Sequence, residues 1–273
     1  MSDSVPTCSS AARLPGFGFV NAEGPDTAAF LQSQLSSDLR TLGDGDAQWS
    51  ALLNPQGRVI AFFALFRLTA SHFRLLLPAE AIDATISHLR RFQLRSKLQM
   101  TPEPTPVAGG WLDAGPAPAG CLRTAARWFG AGDPNLPILS ADAADRWALA
   151  DIDEGLTWLS ADQREQFVAQ MLGLEKLGAL SLKKGCYPGQ EIVARAHYRG
   201  AVKRRPVRLR LSAPGRAGDR VIGQSSGLEC GAVLSSATAD GESRALAVLA
   251  NEPAESHYTI IRDGLVVARA ERI

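Results

Sequence analysis

No two cysteines of this chain stand at metal-ligand spacing. The four, Cys8, Cys121, Cys186 and Cys230, are scattered, which removes the basis for a zinc site, a disulfide framework or a four-thiolate cluster cage, so no permanently bound metal is expected. Long apolar runs are also missing. The most apolar stretch, Val59 to Phe66, stops at Arg67 and is of strand length, far short of the roughly twenty residues that span a bilayer. The start, Met1 to Arg13, carries Asp3 and no continuous apolar segment before Leu14, so it lacks the layout of a secretory signal. The expected surroundings are cytoplasmic and thiol-reducing, with no membrane partner. Neither sign of charge dominates, with 29 basic against 28 acidic side chains; this excludes a wholly basic nucleic-acid binder and leaves only local patches. His72, His88, His197 and His257 are dispersed, and no Ser/His/Asp arrangement supports a hydrolase. Gly16-Phe-Gly18 and Gly43-Asp-Gly45 are too short for phosphate loops and read as turns. There is no internal repeat and no low-complexity tail.

What is present is ordinary globular material, 45% hydrophobic and 21% charged, enough for a core. Phe17 to Val20 reads as a strand. Asp26 is a plausible helix cap, followed by Leu31, Leu35, Leu39 and Leu42 at helical spacing. Trp49 to Leu53 reads as a strand, Asn54-Pro55-Gln56-Gly57 as a tight turn, and Arg58 to Thr69 as a strand covered on both faces. His72 to Leu77 is its expected neighbour. A second helix opens at Pro78, with Ile82, Ile86, Leu89 and Phe92 on one face. Five prolines between Thr101 and Gly120 predict boundaries or exposed loops, while Trp111, Trp128 and Phe129 need burial. Asp162 to Leu174 is predicted as a helix. Beyond Gly200, six short β-like runs punctuated by glycine predict an antiparallel barrel or sandwich. The fold class expected is α+β.

Ser181 to Gly200 reads SLKKGCYPGQEIVARAHYRG and concentrates the chemistry. Gly185 and Pro188-Gly189 bracket Cys186 with turn formers, so the thiol sits on a shaped loop. Lys183 and Lys184 precede it, and nearby positive charge favours a thiolate. A nucleophilic or redox-sensitive Cys186 competes with a cysteine that merely fills space. Tyr187 either stacks on a ring or fills a hydrophobic edge. Glu191 either accepts from a heterocycle or pairs with Arg195. Lys184, Arg195, Arg199 and Lys203 are candidate anion contacts, and Arg195, Arg199, Lys203, Arg204 and Arg205 form a compact basic run that suits RNA phosphate or a solvated face.

The stretch Lys184 to Arg195, KGCYPGQEIVAR, resembles the signature of the YgfZ family within the glycine-cleavage T-protein superfamily, and HYRGAVKRR continues it. Phe30-Leu31-Gln32-Ser33-Gln34-Leu35 with Asp38, and Gln170-Met171-Leu172-Gly173-Leu174, agree with the same family. The resemblance runs from about Gly16 to the end. It implies a ring of three domains around a central hole that binds tetrahydrofolate, and a role in making or maintaining iron-sulfur enzymes, with a link to tRNA methylthiolation. On this basis Tyr187, Gln190 and Glu191 are the local candidates for a folate contact, joined by Asn21, Gln32 and Gln34, and Cys186 is the functional thiol. The expected domains are a folate-binding body, 14–98 and 147–198, an insert, 99–146, and a barrel, 199–273. Catalytic relatives carry an aspartate on the strand after the Asn-x-x-Gly turn. Aligned on Asn54 to Gly57, that place falls to Ala61 and Phe62, neither of which exchanges a proton. The leading expectation is a tetrahydrofolate-binding accessory factor for iron-sulfur enzymes or their assembly machinery. A folate-dependent one-carbon transferase and an RNA-contacting factor are the alternatives.

Overall fold

The computed structural model describes residues 11–200 and 202–273, so Cys8 and the reading of the amino terminus before Ala11 lie outside the described residues. Contacts divide the chain into two units. One takes the described part of Met1–Ala28 with Arg40–Gln48 and Phe63–Leu139; the other takes Ala29–Leu39, Trp49–Phe62 and Ser140–Ile273.

Chain order begins β1 (Ala11–Arg13), β2 (Phe17–Glu23), α1 (Thr27–Gln34), β3 (Ala47–Leu53), β4 (Val59–Thr69) and β5 (His72–Pro78). It continues with α2 (Ile82–Arg90), β6 (Gln99–Glu103), β7 (Val107–Trp111), β8 (Leu122–Arg123) and β9 (Arg127–Ala131). A five-stranded sheet has the order β3-β4-β5-β2-β6. β4 is buried from Val59 to Phe66, as its unbroken apolar sequence requires of a strand covered on both faces. β5 is its antiparallel neighbour, as expected. In the first unit a second sheet has the order β1-β7-β9-β8, and the fully buried Arg127 lies over the rings of Trp111 and Phe129 at 5.7 and 5.3 Å.

The structure differs from several local expectations. The helix expected through Leu42 ends at Gln34; Leu35 leaves it to bridge Leu52, and Leu39 enters a separate 3-10 turn. All four leucines are buried all the same, so their spacing reported burial rather than one continuous helix. The carboxylate of Asp26 accepts the main-chain N–H of Lys97 at 2.7 Å. Phe92 lies past the end of α2 and is 41% exposed. The proline-rich stretch holds strands β6 and β7 where loops were expected; Pro102 is tolerated because β6 is the edge of its sheet, where one N–H position needs no partner.

In the second unit α3 (Ala141–Glu154) starts at a Ser140 cap whose side chain accepts from Ala143 N–H, and stops at Gly155 with φ 72°. It buries Trp147, Leu149 and Ile152. No helix spans Asp162 to Leu174. Two 3-10 turns, Ala161–Gln163 and Ala169–Leu172, stand there instead, because the backbone between them bonds outward: Glu165 N–H to Val59 O at 2.8 Å, Val59 N–H to Phe167 O at 2.9 Å, and Ala169 N–H to Gly57 O at 3.2 Å. After α4 (Gln190–Arg199) come β10 (Arg204–Leu211), β11 (Arg220–Gly223), β12 (Glu229–Ala239), β13 (Glu242–Ala250), β14 (His257–Arg262) and β15 (Leu265–Arg272). They close into an antiparallel barrel of order β10-β13-β12-β11-β14-β15. Strict alternation in β10 turns Val207, Leu209 and Leu211 inward and Arg208 and Arg210 outward. The six runs read from sequence therefore form the barrel, and the fold class is α+β.

Candidate functional site around Cys186

Four segments far apart in sequence meet in the second unit. The loop before α4 carries Cys186, whose side chain is exposed and free of any disulfide. Of the residues around it, Lys184 and Tyr187 are buried, whereas Lys183 and Gly185 are exposed. Lys184 is only 5% exposed; its ammonium donates to the carbonyls of Leu35 at 2.6 Å and Ser37 at 2.9 Å, and lies 5.2 Å from the ring centre of Tyr187. Lys184 was expected to meet an anion and is instead turned inward, because two carbonyls left over where α1 ends supply the acceptors. The chain beyond α1 is held further by Ser181 N–H to Ser36 O at 2.8 Å, Ser36 Oγ to Ala179 O at 2.7 Å, and Ser37 Oγ to Ser50 Oγ at 2.7 Å.

The third segment is the Asn54–Gly57 turn. Asn54 Oδ1 accepts from the N–H groups of Gln56 and Arg58, and its Nδ2 donates to Glu165 at 2.7 Å. Gly57 and Gly189 approach backbone to backbone. Gly189 has φ 78°, and a methyl group there would lie 2.6 Å from Asn54 O and 2.7 Å from Gly57 Cα. Glycine is thus needed twice over, for its left-handed conformation and for the contact. The fourth segment holds α4 through Gln170, whose Nε2 donates to Val193 O at 2.7 Å. The motifs that share a family resemblance are therefore parts of one scaffold under the Cys186 loop.

Other candidates take varied places. Tyr187 is buried, its hydroxyl has no partner, and burial pushes its pKa up to about 12. Gln190 Nε2 donates to Lys184 O at 3.2 Å. Glu191 is exposed and pairs with Arg195 at 3.0 Å, one of the two roles open to it. Gln32 spends both ends of its amide locally, on Asp38 at 3.0 Å and Leu39 N–H at 2.8 Å. This makes it a brace of the turn after α1 rather than a free contact. Gln34 Oε1 is buried without a partner. Asn21 belongs to the first unit, where its Oδ1 meets His72 Nε2 at 2.5 Å. Arg199 and Lys203 are exposed. Ala61 and Phe62 are buried, and Phe62 stacks on Trp49 with centroids 5.0 Å apart and also contacts Trp158 at 5.4 Å. Trp158 in turn donates to Asp151 at 3.0 Å. This aromatic cluster was not read from sequence, since its members lie too far apart for any local pattern. Among the described residues no group of three or more His, Cys, Asp or Glu is placed to hold a metal ion, and no helix is long and apolar enough to cross a membrane.

No family model matches the chain. It is 31% identical over 195 residues to an uncharacterized protein of Haemophilus influenzae, covering 70% of each. It is 26% identical over 296 aligned positions to the tRNA-modifying protein YgfZ of Photorhabdus laumondii, covering 92% of this chain and 87% of the other. The protein of the same name from Klebsiella pneumoniae is 28% identical over 236 residues, 72% of each chain. Among solved structures, the glycine cleavage system aminomethyltransferase T of Bartonella henselae superposes with a TM-score of 0.71 at 17% identity, over 96% of this chain and 85% of that one. The fold is that of the T-protein, relatives matched over most of the chain carry the YgfZ name, and the chain belongs to that YgfZ-like family.

Proposed function

We propose that the protein binds a reduced folate, tetrahydrofolate or a one-carbon derivative of it, and acts as an accessory factor for the assembly or maintenance of iron-sulfur enzymes, through which it supports tRNA modification. The observation that carries this reading is the contrast at the Cys186 loop: an exposed thiol stands on a scaffold held by the buried ammonium of Lys184 and the amide of Gln190. That is the arrangement of a presented thiol rather than a core filler. The residues present suit a folate in part. Gln34 Oε1 and the Tyr187 hydroxyl are buried polar atoms without partners, and the Glu191 carboxylate is exposed on the first turn of α4. A pterin offers N–H donors to acceptors of this kind, and such unpaired groups are costly unless something meets them. When bound, folate would carry the one-carbon unit. Gln32 and Lys184 already hold bonds of their own within the protein, which makes them weaker candidates for direct contact. The names of the YgfZ relatives favour the link to tRNA.

Aminomethyl transfer of the usual kind is disfavoured. Ala61 and Phe62 stand where an acid is needed, buried and, for Phe62, stacked on Trp49 and in contact with Trp158. Calorimetric titration with tetrahydrofolate, alone and with a one-carbon donor, tests the reading. Saturable binding without product supports the accessory role. Product in excess of protein would establish a transferase, and absence of binding at saturating ligand would overturn the folate assignment.

A further inference from the structure

Charge in this nearly neutral chain is unevenly paired. Several arginines of the second unit are matched by acids, Arg244 by Asp153 and Glu242 and Arg262 by Asp219. Near the end of α4 they are not. An open groove of about 600 Å³ is lined by Lys176 and Arg205, with Gln170, Glu175 and Asn251. Glu175 is the acid in that lining, and its carboxylate is taken by His197 Nδ1 at 2.5 Å. No hydrogen bond or ion pair with another described residue holds the side chains of Lys176, Arg199, Lys203 or Arg205. Lys176 and Arg205 thus line the groove without an acid partner, and Lys203 follows the lining residue Val202 while Arg199 ends α4.

Two further features belong to the same place. Gln170 and Asn251 anchor their amide nitrogens on Val193 O and Val202 O, which fixes their orientation and leaves Oε1 and Oδ1 buried without a donor. Tyr198 is 75% exposed, and its ring stands edge-on to that of His197 at 4.9 Å. His197 bonds to Glu175 in the lining, which links the exposed ring of Tyr198 to the groove through one residue. A large exposed aromatic beside unpaired cations is the combination that binds unstacked bases and the backbone joining them.

We propose that this groove and the adjoining end of α4 bind single-stranded RNA, with phosphates on Lys176, Arg199, Lys203 and Arg205 and a base stacked on Tyr198. Base edges supply the N–H donors that the two amide oxygens lack. RNA is the polynucleotide favoured because relatives matched over most of the chain carry the name of tRNA-modifying proteins. Cys186, Tyr187 and Gln190 take no part, so the proposal stands apart from the folate reading.

Fluorescence anisotropy of a labelled oligoribonucleotide of about twelve nucleotides, with the full chain, tests it. Three or four phosphate contacts predict that log K falls against log salt with a slope of about −2 to −3. Lys176→Glu with Arg205→Glu is expected to weaken binding more than tenfold and to flatten that slope. Tyr198→Ala is expected to weaken it by roughly tenfold at unchanged slope, which a merely structural tyrosine would not do. Tetrahydrofolate titration of the same variants is expected to be unchanged. No binding at low salt, equal competition by poly-glutamate, or a preference for DNA over RNA would overturn the proposal. If the charge-reversed variant fails to fold, Arg199→Ala with Lys203→Ala on the exposed surface decides the same point, and unchanged affinity there would count against it.

Discussion

The ammonium of Lys184 reaches a carbonyl 149 residues away, donating to Leu35 O at 2.6 Å. One buried bond thereby joins the loop that bears Cys186 to the end of α1. Lys184→Met keeps most of the stem and removes the donor, stranding the carbonyls of Leu35 and Ser37. The expected loss is about 2–4 kcal/mol, read as a lower urea midpoint at unchanged slope.

Gly189→Ala sets a methyl group against Asn54 O and Gly57 Cα, both main-chain atoms, and forces a left-handed conformation on alanine. The expected cost is about 2–4 kcal/mol. Gly178 has a similar φ, 71°, with open space around it; Gly178→Ala should cost only about 1 kcal/mol. Thermal melts of the two variants isolate the contact between the turns from backbone strain alone.

Burial raises the Tyr187 pKa from 10.0 to about 12. The unfolded chain therefore releases this proton first, and stability falls as pH rises from about 10 toward 12. Tyr187→Phe removes that part of the alkaline loss. It also removes a hydroxyl without a partner, so stability at neutral pH should hold or rise by up to about 1 kcal/mol. Denaturation midpoints across this pH range check the sign. Weaker tetrahydrofolate binding by the same variant would mark the hydroxyl as a ligand contact.

Cys186 is exposed, so Cys186→Ser should change stability by no more than about 0.5 kcal/mol. Complementation of a strain lacking the gene is expected to fail at normal protein level, because a hydroxyl is far less nucleophilic than a thiolate near neutral pH. Full complementation by the serine variant would remove the chemical role assigned to the thiol.

Period and turn chemistry were legible from the residues alone. Val207 to Leu211 alternates strictly and lies in a barrel strand; Asn54-Pro55-Gln56-Gly57 carries the residues of a tight turn, and Gly57 has φ 71°. These features depend on a residue's own backbone preferences and its nearest neighbours. α3 is also written locally, in the Ser140 cap and the Gly155 stop.

The sequence by itself determined the α+β class, the six strands of the barrel, the loop that carries Cys186 and the family to which its signature belongs. Tertiary structure alone decided the direction of each charge. Lys184 could equally have faced the thiol; two carbonyls freed at the end of α1 drew it inward. Asp162 to Leu174 could have been a helix; main-chain bonds to Gly57 and Val59 made it a pair of turns. The physical reason is the same in both cases. A buried polar group must find a partner, and the partners here come from segments that no window of sequence holds together.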